Sequence, residues 1–556
     1  MADGTLTTAP VRISILGGLG EIGLNLMALE YGGRAIVIDC GVMFPDEPAL
    51  GMGVFVPDLA WFDRGTAAID AIILTHAHED HIGALPHLLR RARAPVYGTQ
   101  VTLAFARRRL AEGQFGDPVD FRELVPRRPF DAGPFTIEPI SVTHSTPESV
   151  ALAIRTPAGI VIHSGDFKID DSPVDGWKFD RERLGQLGDE GVGLLMSDST
   201  NVERTGRTGS ESSLGPVLHD LAARTHGRFF LSAFSSHLHR IRQVVEVSRE
   251  FGRFVVPLGR RMAESVRLGR EIGQLQFGPG FFIEPEEAEF IEPRRLTYLA
   301  SGSQGEPLSA LTKVAADAHP RVHLQPGDVV VLSSRFIPGN ERTINRLVNR
   351  LYKRGAEVVY DAVAPVHVSG HASRDELSEL IALTRPRCFV PIHGEYRHLR
   401  RHFELAIAAG VAERNCFLLE DGDSLLVTAD GARRGNSVPA GRVAIEGVDA
   451  GDPAVVGERR MLASEGTVTA IIVLSAKSGK IVAGPDLVSR GLVSGDGGSV
   501  HMRGAREELA RRLRAMGTRF GANDPRVKEE IVRSLRHYFS DEIGKRPLVI
   551  PYVTEI

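Results

Sequence analysis

The chain has 556 residues, 42% hydrophobic and 24% charged, an ordinary make-up for a soluble globular protein and too long for a single core. Its 66 Lys+Arg against 70 Asp+Glu leave a net charge of -4, which excludes a globally basic nucleic-acid binder but not a local basic channel. Cys40, Cys388 and Cys416 form no CxxC pair, so neither a disulfide framework nor a thiolate zinc site is suggested, and any metal site is expected to use His and carboxylate. No apolar stretch approaches the roughly 20 residues of a membrane span. Residues 1–10 are short and polar, and a cytoplasmic protein with no membrane partner is expected.

Residues 11–16 predict a strand running into Gly17-Gly18-Leu19-Gly20-Glu21-Ile22-Gly23. Gly18, Gly20 and Gly23 satisfy GxGxxG, and Asp39 stands about where a ribose-binding acid would. The dinucleotide reading fails because that fingerprint needs a helix before the next strand. Residues 24–31 leave no room for one. A β-hairpin fits better, 25–30 against 34–39, turning at Gly32-Gly33. A loop rich in Gly, Pro and Asp follows (Phe44-Pro45-Asp46-Glu47-Pro48), then the apolar run Ala71-Ile72-Ile73-Leu74, which reads as a buried strand.

Directly after that strand stands Thr75-His76-Ala77-His78-Glu79-Asp80-His81. Imidazoles and carboxylates are the donors that zinc and similar divalent ions prefer. His76 and His78 are two apart and point the same way on extended backbone. Asp80 and His81 follow where the chain turns and can face a second ion. A polar loop that merely contains histidines would not gather so many donors at this spacing.

Helices are predicted around 87–91 and over 103–111, with a short strand at 96–98. Strands at 135–142, 159–163 and 193–196 end at His144, at Asp166 and at Asp198. Alone, His144 reads as an ordinary surface or core residue and Asp166 as a turn cap. Together they repeat one rule, since layered α/β folds collect functional groups just past the C-terminal ends of strands. From Phe229 onward, strands (229–232, 254–257, 296–300, 328–332) alternate with helices (240–249, 260–271, 342–353), which predicts a separate parallel-sheet unit. His371 then precedes a helix at 374–383, and the strand run 388–392 ends at His393. His393 obeys the earlier rule, so the intervening unit is read as inserted into the metal domain. Residues 431–441 read as a polar, Gly-rich link. The last stretch predicts strands at 467–474, 481–483 and 547–553 and helices at 505–516 and 525–539.

Residues 75–83 with His144, Asp166 and His393 resemble the metallo-β-lactamase superfamily. The late histidine and the inserted unit resemble its β-CASP branch. The stretches Gly17-Gly18-Leu19-Gly20-Glu21-Ile22-Gly23-Leu24-Asn25, Ser197-Asp198-Ser199-Thr200-Asn201, Ser301-Gly302-Ser303-Gln304-Gly305-Glu306-Pro307 and His367-Val368-Ser369-Gly370-His371 resemble the bacterial ribonuclease J family over essentially the whole chain. Leu24 departs from the Lys expected in many relatives, outside the donor set. The resemblance implies an α/β protein. Its parts would be a metallo-β-lactamase αββα sandwich (11–215 and 361–445), an inserted β-CASP parallel-sheet domain (216–360), a linker (446–462) and a C-terminal α+β domain (463–556). It implies two zinc ions per chain, with manganese or magnesium as alternatives. His76, His78 and His144 would hold one ion, and Asp80, His81 and His393 the other, with Asp166 between them. Asp198 and His371 match motifs of the β-CASP branch.

The expected function is a metal-dependent ribonuclease. It would degrade single-stranded RNA 5′→3′ from a 5′-monophosphate and also cut internally, in RNA decay and in rRNA and mRNA maturation. Phosphodiester hydrolysis needs an in-line nucleophile and neutralised charge, which hydroxide attack at a two-metal centre provides. Asp80 and His371 are the expected catalytic residues, the latter stabilising the scissile phosphate or assisting the leaving oxygen. Ser369 and Gly370, with His367 and Val368, lie in a loop fit to seat phosphate. Ser236 and His237 begin another helix and are phosphate candidates or ordinary N-caps. A homodimer or homotetramer through the C-terminal domain, and RNA-decay assemblies, are expected by resemblance only. The alternatives are a thioester or lactone hydrolase of the same superfamily, disfavoured by the second lobe, and an idle RNA-binding scaffold, disfavoured by the complete donor set.

Overall fold

The computed structural model describes residues 9–44, 53–65, 67–278, 280–306, 308–335, 340–446, 449–450, 453–492, 497–517, 521 and 524–556. Pro45–Pro48 of the acidic loop and Pro307 of the Ser301–Pro307 motif lie outside them. The chain forms two compact units, residues 1–46 with 54–443, and 47–53 with 444–556.

Two sheets face each other in the first unit. The eight-stranded sheet runs in the order Gly431–Arg434, Ser424–Thr428, Val11–Gly17, Leu26–Tyr31, Arg34–Ile38, Ala68–Ile73, Val96–Gly98, Phe121–Glu123. The six-stranded sheet runs Cys388–Ile392, Val192–Asp198, Gly159–His163, Val150–Thr156, Phe135–Ser141, Phe130–Ala132. Between them lies a core that includes Ile13, Ile36, Ile73, Ile137, Leu152, Met196 and Val390. The outer face of the six-stranded sheet packs on helices Arg181–Glu190, Arg374–Thr384 and Tyr396–Ala408 through Leu184, Leu377, Ile381 and Phe403. Helix Gln100–Glu112 covers strand Val96–Gly98 of the other sheet. This is the αββα arrangement that the family resemblance implied. Along most strands, residues facing the shared core alternate with residues facing the outer side, interrupted by register shifts at Ile15/Gly17, Ala35/Ile36 and Ile160/Val161.

The hairpin reading of the glycine-rich start holds. Tyr31 pairs with Arg34, and Gly32 and Gly33 both take left-handed φ, 58° and 75°. A two-residue turn matched to the strand twist requires that conformation. The insertion is visible in the register. Asp198 and Ile392 are direct partners in neighbouring parallel strands, and the chain between them builds a five-stranded parallel sheet of its own. Its order is Phe254–Leu258, Leu296–Ala300, Phe229–Ser232, Val329–Leu332, Glu357–Val359.

The second unit has a three-stranded sheet, Ile481–Arg490, Thr467–Leu474, Leu548–Glu555. Its buried residues Val468, Ala470 and Ile472 pack on Leu509 and Ile531 of helices Gly497–Ala515 and Pro525–Ile543. Three expectations need correction. Within 431–441, Gly431–Arg434 pairs as a strand with Ser424–Thr428. Within the linker at 446–462, helix Pro453–Glu465 begins. The strand placed at 481–483 continues to Arg490. Among the described residues no helix is long and apolar enough to cross a membrane.

Candidate metal centre

Every expected donor lies just past a strand end. His76, His78, Asp80 and His81 follow Ala68–Ile73, His144 follows Phe135–Ser141, Asp166 follows Gly159–His163, and His393 follows Cys388–Ile392. They converge as two sets that share Asp166: His76, His78, His144 and Asp166, and Asp80, His81, Asp166 and His393. In the first, His78 Nδ1 is 3.1 Å from both His76 Nε2 and His144 Nε2, and Asp166 Oδ2 is 3.6 and 3.8 Å from those two. In the second, Asp166 Oδ2 is 3.3 Å from His81 Nε2 and 3.5 Å from His393 Nε2, which is 3.4 Å from Asp80 Oδ2. A tetrahedral ion with bonds of about 2.0–2.1 Å separates its donors by about 3.3–3.4 Å. The spacing therefore fits divalent ions.

The hydrogen bonds around the rings fix which nitrogen is free. Thr75 Oγ1 donates to Asp39 Oδ2 (2.9 Å), so at 3.0 Å it must accept from His76 Nδ1. His81 Nδ1 donates to Asp39 Oδ2 (2.7 Å), and His144 Nδ1 to the Gly370 carbonyl (2.8 Å). His393 Nδ1 donates to Thr200 Oγ1 (2.7 Å), whose hydroxyl donates to Asp198 Oδ1 (2.8 Å). Ser145 Oγ pairs with His78 Nε2 at 3.1 Å. The remaining nitrogens face Asp166 and one another. Against the effect of burial, the carboxylates led by Asp166 hold His81 up at about 10 and His393 well above the usual imidazole range, so these two rings carry a proton that a cation would have to displace. Burial pushes His76 and His144 well below the usual imidazole range and His78 down to about 4, so these rings are neutral and offer lone pairs. Burial alone would raise the Asp166 carboxyl, but the surrounding histidines, His393 and His81 foremost, hold it well below the carboxylate range.

Several of these supports were given no role by the sequence reading. Asp39, set aside above as a ribose acid, instead orients His81 and also accepts from the Thr75 amide at 2.8 Å. Asn25 Nδ2 donates to Asp80 O at 3.0 Å and lies 3.1 Å from His81 Nε2. Asp39 and His393 have left-handed φ of 57° and 53°, a cost that functional positions tolerate when packing over-determines them.

His371 stacks on His393 and meets His144 edge-on, and its Nδ1 is 2.9 Å from Asp198 Oδ2. Asp80 and His371 keep 28% and 20% of their side chains exposed, and His78 is half-buried, while His76, His81, His144, Asp166 and His393 are buried. Asp80, His371 and His78 stand on the open side of the cluster. Gly370 has no room for a side chain, since a Cβ there would sit 2.7 Å from His144 Cε1.

Beside this cluster is a pocket of about 430 Å³ lined by Arg204, Thr205, Thr208, His367, Val368 and Ser369 among others. Asn201 Nδ2 ties Ser369 Oγ (2.8 Å) to His371 O (3.0 Å), so pocket and cluster share one loop. Ser236 and His237 do not line this pocket. His237 instead caps helix Leu238–Glu250, its side chain accepting from the Arg240 amide, and its ring is buried. Burial there pushes it well below the usual imidazole range.

The family model described as ribonuclease J, beta-CASP domain matches residues 226–351, and that described as ribonuclease J C-terminal domain matches 454–556. The metallo-beta-lactamase superfamily matches 20–209, and a Zn-dependent metallo-hydrolase RNA specificity domain matches 355–417. Ribonuclease J 1 of Streptococcus pyogenes is 35% identical over 559 residues, covering 100% of this chain and 99% of that protein. The chain belongs to the ribonuclease J family. Ribonuclease J of Mycobacterium tuberculosis is 37% identical, again over 100% of this chain and 99% of the relative. A solved protein of unknown function from Enterococcus faecalis shares the fold at a TM-score of 0.53 and 17% identity, covering 75% of this chain and all of that one. As a ribonuclease J family member, the chain is a hydrolase of RNA phosphodiesters with a metallo-β-lactamase domain, an inserted β-CASP domain and a C-terminal ribonuclease J domain. The small-molecule hydrolase alternative loses its ground.

Proposed function

We propose that the chain is a two-zinc ribonuclease, with manganese or magnesium as substitutes, that degrades single-stranded RNA 5′→3′ from a 5′-monophosphate and also cuts internally. The observation that carries this reading is the pocket lined by Arg204, Thr208, His367 and Ser369, on the same loop as His371 and next to the donor sets. His76, His78 and His144 would hold one ion, Asp80, His81 and His393 the other, with Asp166 shared. When bound, such ions supply Lewis acidity and a water that ionises near neutral pH.

The chain's own groups do the rest. Asp80, on the open side, orients the attacking water. His371, held by Asp198, stabilises the scissile phosphate or donates a proton to the leaving oxygen. Arg204 and the Thr205 and Ser369 hydroxyls seat a terminal phosphate, while Thr208 Oγ1 donates to His371 O at 2.8 Å and steadies the loop. Cleavage leaves a 5′-phosphate on the remainder, which can re-enter the pocket, so stepwise decay and trimming of rRNA and mRNA follow. The domain division is taken as 11–215 with 361–445, 216–360, and 463–556. Assembly as a homodimer or homotetramer through the last of these, in the cytoplasm, completes the reading. The sheet of that domain leaves Ile550 and Tyr552 46% and 59% exposed, which supports a protein partner there.

The test is cleavage of one end-labelled RNA carrying a 5′-monophosphate, a 5′-triphosphate or a 5′-hydroxyl, with and without chelator. Chelator-sensitive release of mononucleotides, fastest from the monophosphate, is expected. Equal rates on all three ends would remove the end pocket from the reading, and cleavage that survives the chelator would remove the metals.

A further inference from the structure

Arg240 has no exposed surface, yet it carries a full charge where the inserted lobe meets the loop of the pocket. It lies on helix Leu238–Glu250, after strand Phe229–Ser232. Its Nε and Nη2 donate to Glu211 Oε1 and Oε2 at 2.6 and 3.0 Å. Its Nη1 donates to the carbonyls of Ser333 (3.0 Å) and Val366 (3.2 Å) and to Ser333 Oγ. Ser333 Oγ in turn donates to Val366 O at 2.5 Å. Val366 immediately precedes His367, Val368 and Ser369 of the pocket, and four residues on, Gly370 O holds His144.

Glu211 is fixed on its other side. Its amide donates to Asp170 Oδ2 (3.0 Å), and Gln243 Nε2 donates to its Oε1 (3.1 Å). Asp170 is 3.4 Å from Lys168 Nζ, which donates to the carbonyl of Gly209, another lining residue of the pocket, at 3.0 Å. One guanidinium therefore reaches the pocket by two routes, directly through Val366 and indirectly through Glu211, Asp170 and Lys168. A buried ion pair adds little net stability over a well-packed apolar pair, so stability does not explain it. A rigid fork that fixes two carbonyls and a carboxylate in one plane does explain an arginine rather than a lysine.

We propose that Arg240 is a positioning residue that sets the spacing between the end pocket and the metal centre, so that an RNA end seated in the pocket presents its terminal phosphodiester to the ions. This rests on the pocket reading above. Two variants of the full chain test it. Arg240→Lys keeps the charge and loses the fork. The double variant Arg240→Met/Glu211→Gln removes both charges, so that neither is left buried alone.

The expected result in both is a loss of about tenfold in the monophosphate-over-hydroxyl ratio of kcat/KM, the scale of losing a charged hydrogen bond. Released products should broaden from mononucleotides to mixtures with dinucleotides. Metal content and kcat/KM on 5′-hydroxyl RNA should not change. A ratio within about twofold of the unaltered protein, inside ordinary scatter between sites, overturns the proposal. So does an equal fall on both RNAs, which would mark a structural role only. If the unaltered protein itself shows no monophosphate preference, the pocket reading fails and the positioning role fails with it. Loss of preference in the variants alone upholds both.

Discussion

Strands Gly159–His163, Val192–Asp198 and Cys388–Ile392 end in Asp166, Asp198 and His393, whose side chains converge on one another. The parallel sheet of the inserted lobe ends differently. After Val329–Leu332 and Leu296–Ala300 come serines and a glutamine. Gln304 Nε2 donates to Ser334 Oγ and Arg335 O at 3.1 and 2.8 Å, and Arg335 Nη1 reaches across to Asn201 Oδ1 at 3.3 Å. Both lobes gather groups at the C-terminal ends of parallel strands, where topology leaves a crevice. One spends them on donors for a cation, the other on holding backbone in place. Chemistry and placement are thus separable, and substitutions should divide along the same line.

The largest effect belongs to the donor side. Asp80→Ala removes the exposed carboxylate of the second set and should abolish hydrolysis, with the fold retained by circular dichroism and the first donor set still loaded. Full activity in a folded, metal-analysed variant would remove Asp80 from the catalytic machinery. A smaller effect tests the supports. The Asp39 carboxylate accepts from the Thr75 amide, the Thr75 hydroxyl and His81 Nδ1. Asn at this position tolerates the left-handed backbone but points an NH₂ at one of those donors. Asp39→Asn should weaken metal binding by about 10–100-fold, as loss of a ligand's outer partner does. Activity should return when metal is raised, and equilibrium dialysis against a competing chelator measures the shift. An unchanged affinity would mean that packing alone orients His81.

The sequence made the donors legible because His and Asp at successive strand ends are rare in combination and chemically specific. Gly32-Gly33 marked its hairpin because only glycine readily takes both left-handed angles. The supports were not legible. Asp39 meets His81 across a sheet, with no spacing that local pattern could reveal, and its place after a strand even invited a wrong cofactor. His237 looked like a phosphate contact because its exposure depends on packing against Arg240 and Glu211, which tertiary structure alone decides. Helix Pro453–Glu465 escaped notice because Pro453 and Gly457 weaken its local preference, although proline suits a first turn.

The smallest effect concerns the stitching of the donor side. Leu19–Gly20 pairs with Gly394–Glu395, directly after His393, and Glu21 bridges to Gly394. Asp421 Oδ1 accepts from the Leu19 amide at 2.9 Å, and Glu21 Oε2 is 2.9 Å from Arg442 Nη2. Burial, then the neighbouring Asp421, pushes the Glu21 carboxyl up to about 7 against the pull of Arg442. An unfolded glutamate titrates near 4.3. Between these values the folded chain binds more protons than the unfolded one, so this contribution is full below about pH 4, falls as pH rises, and is gone above about pH 7. Glu21→Gln is neutral throughout. Against the unaltered protein, both metal-loaded, it should flatten stability between pH 5.5 and 8 and gain on the order of 1 kcal/mol at the alkaline end. Denaturant midpoints measured across that range decide it. Curves that stay parallel would mean that Arg442 already neutralises Glu21, and that the stitch beside His393 carries no proton.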